Sequence, residues 1–195
     1  METSTLGLYK QISDSKVKFL DLTYLSTLSG VVNRNTLYKI AERLVNENVL
    51  TKLTRGKFLV PKSNTSDFEV ANYLYNPSYI SLETALSYYG ILSQFTYTIT
   101  SVTTKKSKNI QIAGKQYQYS QIKQAYFNGY VKRDEFLIAT KEKALFDTLY
   151  FSSKGLINID FAELDVSQIN LKLLKSMIYE TKDTRLISKF KRFIL

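Results

Sequence analysis

The chain has 195 residues, 44% apolar and 23% charged, which suits one or two folded domains and argues against disorder. It contains no Cys and no His, so disulfides, thiolate nucleophiles, an imidazole base and Cys- or His-ligated metals are excluded. Lys and Arg number 27 against 17 Asp and Glu, and the net charge of +10 favours a polyanionic partner such as nucleic acid.

The surplus is shared along the chain. Residues 1–62 hold ten basic and five acidic side chains, and residues 63–195 hold seventeen and twelve. No apolar run approaches the ~20 residues that span a bilayer. The first residues, Met1 to Thr5, lack the basic and apolar regions of a signal peptide. A cytoplasmic protein without membrane association is expected.

Leu6, Leu8, Tyr9 and Ile12 suggest a first short helix, and Lys18 to Asp21 a short strand. Leu22, Leu25 and Leu28 recur three apart and stop at Ser29-Gly30, as in a helix ended by glycine. Asn33 can cap a longer helix reaching about Asn48, with Leu37, Ile40, Ala41 and Leu44 as its buried stripe. Val49 to Val60 reads as a β-hairpin turning at Arg55-Gly56. Helix, helix, turn, helix and hairpin is the order of a winged helix-turn-helix.

Pro61 and Pro77 bracket a stretch whose start, Lys62-Ser63-Asn64-Thr65-Ser66, has no apolar anchor and reads as a boundary. The expected domains are 1–62, a winged helix-turn-helix that binds DNA, and 63–195. Beyond the boundary, Phe68 to Tyr75 looks helical, and Ser81 can cap a helix that buries Leu82, Ala85, Leu86 and Tyr89 and ends at Gly90. Thr96 to Thr104 is dense in β-formers and reads as a central strand. Asn109–Ile112 and Gln116–Ile122 form a hairpin around Ala113-Gly114-Lys115, and Glu135 to Ala139 is another strand. Thr140 caps a helix through Tyr150 with Ala144, Leu145, Thr148 and Leu149 inward. Helices at about Leu171–Tyr179 and Thr184–Phe193 close the chain. The fold class is α+β: a winged helix, then a mixed α/β domain with a small sheet and C-terminal helices.

The third helix is the candidate recognition helix. At 100° per residue, Asn35, Tyr38, Lys39, Glu42, Arg43 and Asn46 lie opposite its apolar stripe. Asn and Arg suit adenine and guanine edges, whereas Lys and Tyr suit phosphate. Arg34 and Asn35 occupy the helix start, where base contacts concentrate and the amides favour phosphate. Lys52, Arg55 and Lys57 make a basic wing with Arg55 at its tip. The DNA-binding set is therefore Arg34, Asn35, Tyr38, Lys39, Arg43, Lys52, Arg55 and Lys57. Lys105, Lys106 and Lys108 are either a second DNA contact or a solvated loop.

Three segments carry a family resemblance. Tyr79-Ile80-Ser81-Leu82-Glu83-Thr84-Ala85-Leu86-Ser87-Tyr88-Tyr89-Gly90-Ile91-Leu92 resembles a segment of AbiEi-type antitoxins. Thr100-Ser101-Val102-Thr103-Thr104-Lys105-Lys106-Ser107 and Ile138-Ala139-Thr140-Lys141-Glu142-Lys143-Ala144-Leu145-Phe146-Asp147 are similar to two further segments in the same order. Lys141 stands where that family often has Pro, a preference at a first helical position rather than a need. The resemblance covers about residues 1–155. It implies the antitoxin of a type IV, abortive-infection toxin–antitoxin pair. Such a protein represses its own operon by binding inverted repeats in the promoter DNA through the winged helix. Its second domain counters a nucleotidyltransferase-like toxin, without requiring a stable complex. No cofactor, metal or catalytic residue is implied.

The same motif residues also suit a core, with Glu142, Lys143 and Asp147 in intrahelical pairs worth ~0.2–0.5 kcal/mol each. A ligand-responsive repressor, with a small molecule held among the fifteen tyrosines, is the alternative. A nuclease would need acidic-x-Lys pairs such as Asp14-Ser15-Lys16 or Glu180-Thr181-Lys182 at strand ends. The basic, apolar end from Lys189 to Leu195 suits packing onto the domain as well as a membrane surface.

Overall fold

Short helical and extended segments alternate up to Pro61 in the computed structural model, which describes residues 5–61 and 64–194. The chain is α+β, with eight α-helices and two sheets among the described residues. It divides into two compact units, residues 1–66 and 67–195. Asn64 to Ser66 thus belong with the first unit, whereas Lys62 and Ser63 of the expected linker lie outside the described residues.

The first unit runs α1 (Thr5–Asp14), β1 (Phe19–Asp21), α2 (Leu22–Ser29), α3 (Arg34–Asn46), β2 (Thr51–Thr54) and β3 (Lys57–Leu59). Its three strands are antiparallel in the order β1-β3-β2. Local chemistry fixes the helix ends. The Asp21 carboxylate accepts the Tyr24 amide at the start of α2, and Gly30 ends that helix in the left-handed region at φ 71°. Asn33 Oδ1 accepts the amides of Asn35 and Thr36 at the start of α3. Ile12, Leu20, Leu25, Leu37, Ala41, Leu44, Leu50 and Phe58 form one core, with Ile40 packed at its edge. On α1, Leu8 and Ile12 are buried and Tyr9 is exposed; the Leu6 side chain lies outside those described.

The second unit is built on a six-stranded sheet in the order β6-β7-β5-β4-β9-β8. Its strands are β4 (Ser78–Ile80), β5 (Ile99–Thr103), β6 (Lys108–Ile112), β7 (Lys115–Gln121), β8 (Tyr130–Arg133) and β9 (Phe136–Ala139). The β5–β7 and β4–β9 pairs are parallel, and the other three are antiparallel. β5 is buried on both faces because helices cover both. Alternation puts Thr100, Val102 and Tyr79 on one face with α5 (Leu82–Tyr88) and α6 (Lys141–Ser153). The opposite face carries Tyr117, Tyr119 and Phe136 against α4 (Asp67–Leu74), where Tyr119 Oη donates to the Ala71 carbonyl. α7 (Leu171–Glu180) and α8 (Thr184–Phe193) pack behind α6.

The sheet is larger than the small one expected. β4 and β8 escape sequence reading because each has only three or four residues and neither alternates clearly. β5 begins at Ile99 rather than Thr96. The Ala113-Gly114 pair makes the tight turn, with φ 48° and 84°, so Lys115 belongs to β7. α6 was expected to bury one face, but every residue from Lys143 to Phe151 is buried, since the sheet, α5, α7 and α8 surround it.

Candidate nucleic-acid interface

Of the charged side chains on the first unit, two are organised by one ring. Tyr38 is half-buried on the outer side of α3. The Arg34 guanidinium, one turn earlier, lies 5.9 Å from its ring centroid, and that of Arg55 lies 5.5 Å away. Arg55 Nε donates to Tyr38 Oη at 3.3 Å. Hydrogen bonds from Arg34 and then Arg55 hold the Tyr38 phenol below its usual range. The hairpin tip therefore folds back onto the helix instead of standing away from it. Gly56 permits this: its φ of +75° suits glycine, and an added Cβ would meet Leu22 Cδ1 at 3.4 Å.

Between α3 and the hairpin runs an open groove of about 590 Å³. Ala41, Val45 and Phe58 make its floor, and Tyr38, Glu42, Asn46, Lys52 and Arg55 supply its polar edge. Lys52 is exposed on β2, across from Phe58 in register. Asn35, Lys39 and Arg43 form the adjacent exposed row of α3, at i, i+4 and i+8. Lys57 differs, being half-buried beside the turn, where it pairs with Thr54 across the hairpin and with Asp21 of β1. The helix N-terminus is also less open to phosphate than its position suggests, because Asn33 already engages the amides of Asn35 and Thr36 at 3.0 and 3.1 Å.

The second unit repeats the device. Lys105 and Lys106 lie in the loop after β5, and Lys108 opens β6. The ammonium groups of Lys105 and Lys108 lie 5.5 and 5.4 Å from the Tyr75 ring centroid. Tyr75 Oη donates to the Lys106 carbonyl at 3.0 Å, and Lys105 Nζ donates to the Asn76 carbonyl. All three lysines are exposed. This loop is ordered around a tyrosine thirty residues earlier in the chain, a pairing that no local sequence signal marks.

The three motif segments meet inside the second unit. Lys143 Nζ and Asp147 Oδ1 form an ion pair of 2.6 Å with both side chains fully buried. Tyr79 Oη and Ser81 Oγ donate to Asp147 Oδ2 at 2.9 and 2.8 Å. Burial pushes the Asp147 carboxyl up, and the Lys143 ammonium and the two hydroxyl donors oppose that rise. Burial also raises the Tyr79 phenol. This pair is unlike the solvated intrahelical pairs expected of α6, because neither charge reaches water. Ser81 is the N-cap of α5, but its hydroxyl serves Asp147, and Thr100 Oγ1 accepts the Thr84 amide in its place at 3.2 Å. Glu142 accepts the Asn170 amide ahead of α7.

The buried Tyr117 and Tyr119 serve packing with satisfied hydroxyls: Tyr117 Oη donates to Asp67 and Tyr119 Oη to the Ala71 carbonyl. Burial raises both phenols. Asp14 and Glu180 end the helices α1 and α7, not strands. Among the described residues, no helix is long and apolar enough to cross a membrane. In comparisons with known proteins, the chain matches no family model and no curated sequence.

Proposed function

We propose that this protein is a DNA-binding autorepressor and antitoxin, with a winged helix in its first unit and the antitoxin surface in its second. The reading rests chiefly on one observation: Tyr38, Lys52 and Arg55 line the groove between α3 and the hairpin, and Arg34 lies over the same Tyr38 ring. A helix that presents Asn35, Lys39 and Arg43, with a basic hairpin beside it, has the side chains for a major groove and its flanking phosphates. Tyr38 sets the spacing of Arg34 and Arg55, so two cations approach the backbone already oriented. The Lys105, Lys106 and Lys108 loop is a second phosphate contact.

The antitoxin part rests on the resemblance of the three motif segments to AbiEi-type proteins. That they share one buried cluster supports their acting as the framework of one domain. The toxin contact or counteraction then falls on the exposed surface around that framework. No cofactor is invoked, and the operator is double-stranded DNA upstream of the gene.

The test uses the full chain and its Arg34→Glu/Arg55→Glu variant, each co-expressed with the gene immediately downstream. The intact chain is expected to repress its own promoter and to rescue growth from the downstream product. The variant should lose repression and keep rescue. A harmless downstream product, or failure of the intact chain to rescue, removes the antitoxin reading. Repression that survives both charge reversals removes the proposed DNA surface.

A further inference from the structure

We propose that a basic hollow between α6 and α8 binds a polyphosphate group of the kind a nucleoside triphosphate carries. This proposal is independent of the DNA-binding reading and concerns the other end of the second unit's sequence. Arg185, Lys189 and Arg192 stand at i, i+4 and i+7 on one row of α8 and line a hollow of about 340 Å³. Leu186 and Phe190, both buried, fix the rotation of α8 that presents this row. Ser152 and Ser153 at the end of α6 and Thr184 and Ser188 on α8 add hydroxyls to the lining.

The lining contains no carboxylate. Among the described residues, no hydrogen bond or ion pair engages the side chains of Arg185, Arg192, Ser152, Thr184 or Ser188. Lys189 Nζ is steadied 5.0 Å from the Phe161 ring centroid, and Phe161 meets Phe193 edge-on at 5.4 Å. Like charges along one helix row repel each other, so the arrangement is unfavourable until an anion sits among them. The C-terminal end of α6 contributes roughly −0.5 of a charge, far less than the three cations opposing it. Arginine forks match the oxygens of phosphate in pairs, and the hydroxyls of Ser152, Thr184 and Ser188 supply the neutral donors such sites use, whereas that of Ser153 donates to the Tyr150 carbonyl. From Arg185 to Arg192 the helix rises about 10 Å, which suits linked phosphates better than one. The volume lies at the small-ligand end of binding pockets, which favours a nucleotide over a duplex.

The experiment is calorimetric titration of the full chain at constant ionic strength with tripolyphosphate, ATP, GTP and sodium sulfate. Tripolyphosphate and the nucleotides are expected to bind. The Arg185→Gln/Arg192→Gln variant should lose at least tenfold in affinity while its promoter-DNA affinity and melting curve stay unchanged. ATP binding more tightly than tripolyphosphate would show that the base is read too, and equal binding would assign the site to the phosphates alone. Three results overturn the proposal: no polyphosphate binds, sulfate binds as well as tripolyphosphate, or the double variant binds undiminished. A duplex oligonucleotide that displaces tripolyphosphate and weakens in parallel in the variant would assign the hollow to nucleic-acid backbone and also sink it.

Discussion

Replacing Lys143 with Met tests how the second unit is held together. The substitution leaves an unbranched side chain one atom shorter and removes the ammonium, with both its charge and its hydrogen bond to Asp147. It leaves Asp147 fully buried with Tyr79 and Ser81 as donors but without its counter-ion. Breaking one side of a buried pair costs about 3–5 kcal/mol, because the remaining charge has neither water nor partner. Against a domain stability of about 5–15 kcal/mol, this is a large fraction. Urea unfolding followed by circular dichroism reads it directly: with a slope of about 2 kcal/mol per molar, the midpoint of the second unit falls by roughly 2 M. The loss also depends on pH. Burial already raises the Asp147 carboxyl above its ordinary 3.8, and removing the ammonium raises it further. A folded-state pKa above the unfolded value gives stability that is complete below the unfolded value and is lost as pH rises through the folded value. The deficit of the variant is therefore largest near neutrality and narrows towards pH 4. A deficit under about 1 kcal/mol, or one equal at pH 5 and pH 7.5, would refute the argument that the pair is dry and ionised.

Four further outcomes concern the basic groups and Gly129. Arg55→Ala removes one phosphate contact, so the slope of log affinity against log salt for promoter DNA should flatten by about 0.9; an unchanged slope places Arg55 off the DNA. Tyr38→Phe removes the hydroxyl that orients Arg55 but no cation, so affinity should fall about two- to tenfold at an unaltered salt slope, and a steep change in slope would contradict the platform role. Replacing Lys105, Lys106 and Lys108 together with Gln should flatten the slope by roughly 2 to 3, and none of it if the loop is merely solvated. Gly129→Ala should destabilise the second unit by about 1–3 kcal/mol in thermal melts, because φ is +69° and the added Cβ would sit 3.0 Å from Lys143 Cγ; a neutral result would mean that this strand start yields easily.

By itself the sequence determined what is written locally. Periodicity and end signals placed α2 and α3, because Gly30 and Asn33 act within a turn of the residues they satisfy, whereas the Asp21 cap appeared only in the structure. The Arg55-Gly56 and Ala113-Gly114 turns were legible because each pair supplies the positive φ a tight hairpin needs at glycine. The exposed row Asn35, Lys39 and Arg43 followed from helical spacing alone. Tertiary structure decided what depends on residues far apart in the chain. β4 is a strand only because β5 and β9 flank it, and α6 is buried all round only because α5, α7, α8 and the sheet enclose it. Lys143 and Asp147 read as a surface pair until that enclosure removes water from both. The Ser81 hydroxyl, a local cap by sequence, goes to Asp147 because Thr100 from β5 takes over the cap. Tyr38 and Tyr75 likewise became platforms for cations when the hairpin and the lysine loop closed over them. Such contacts join residues sixteen to sixty-eight positions apart, a separation at which only the closed chain, not its local pattern, sets the distance.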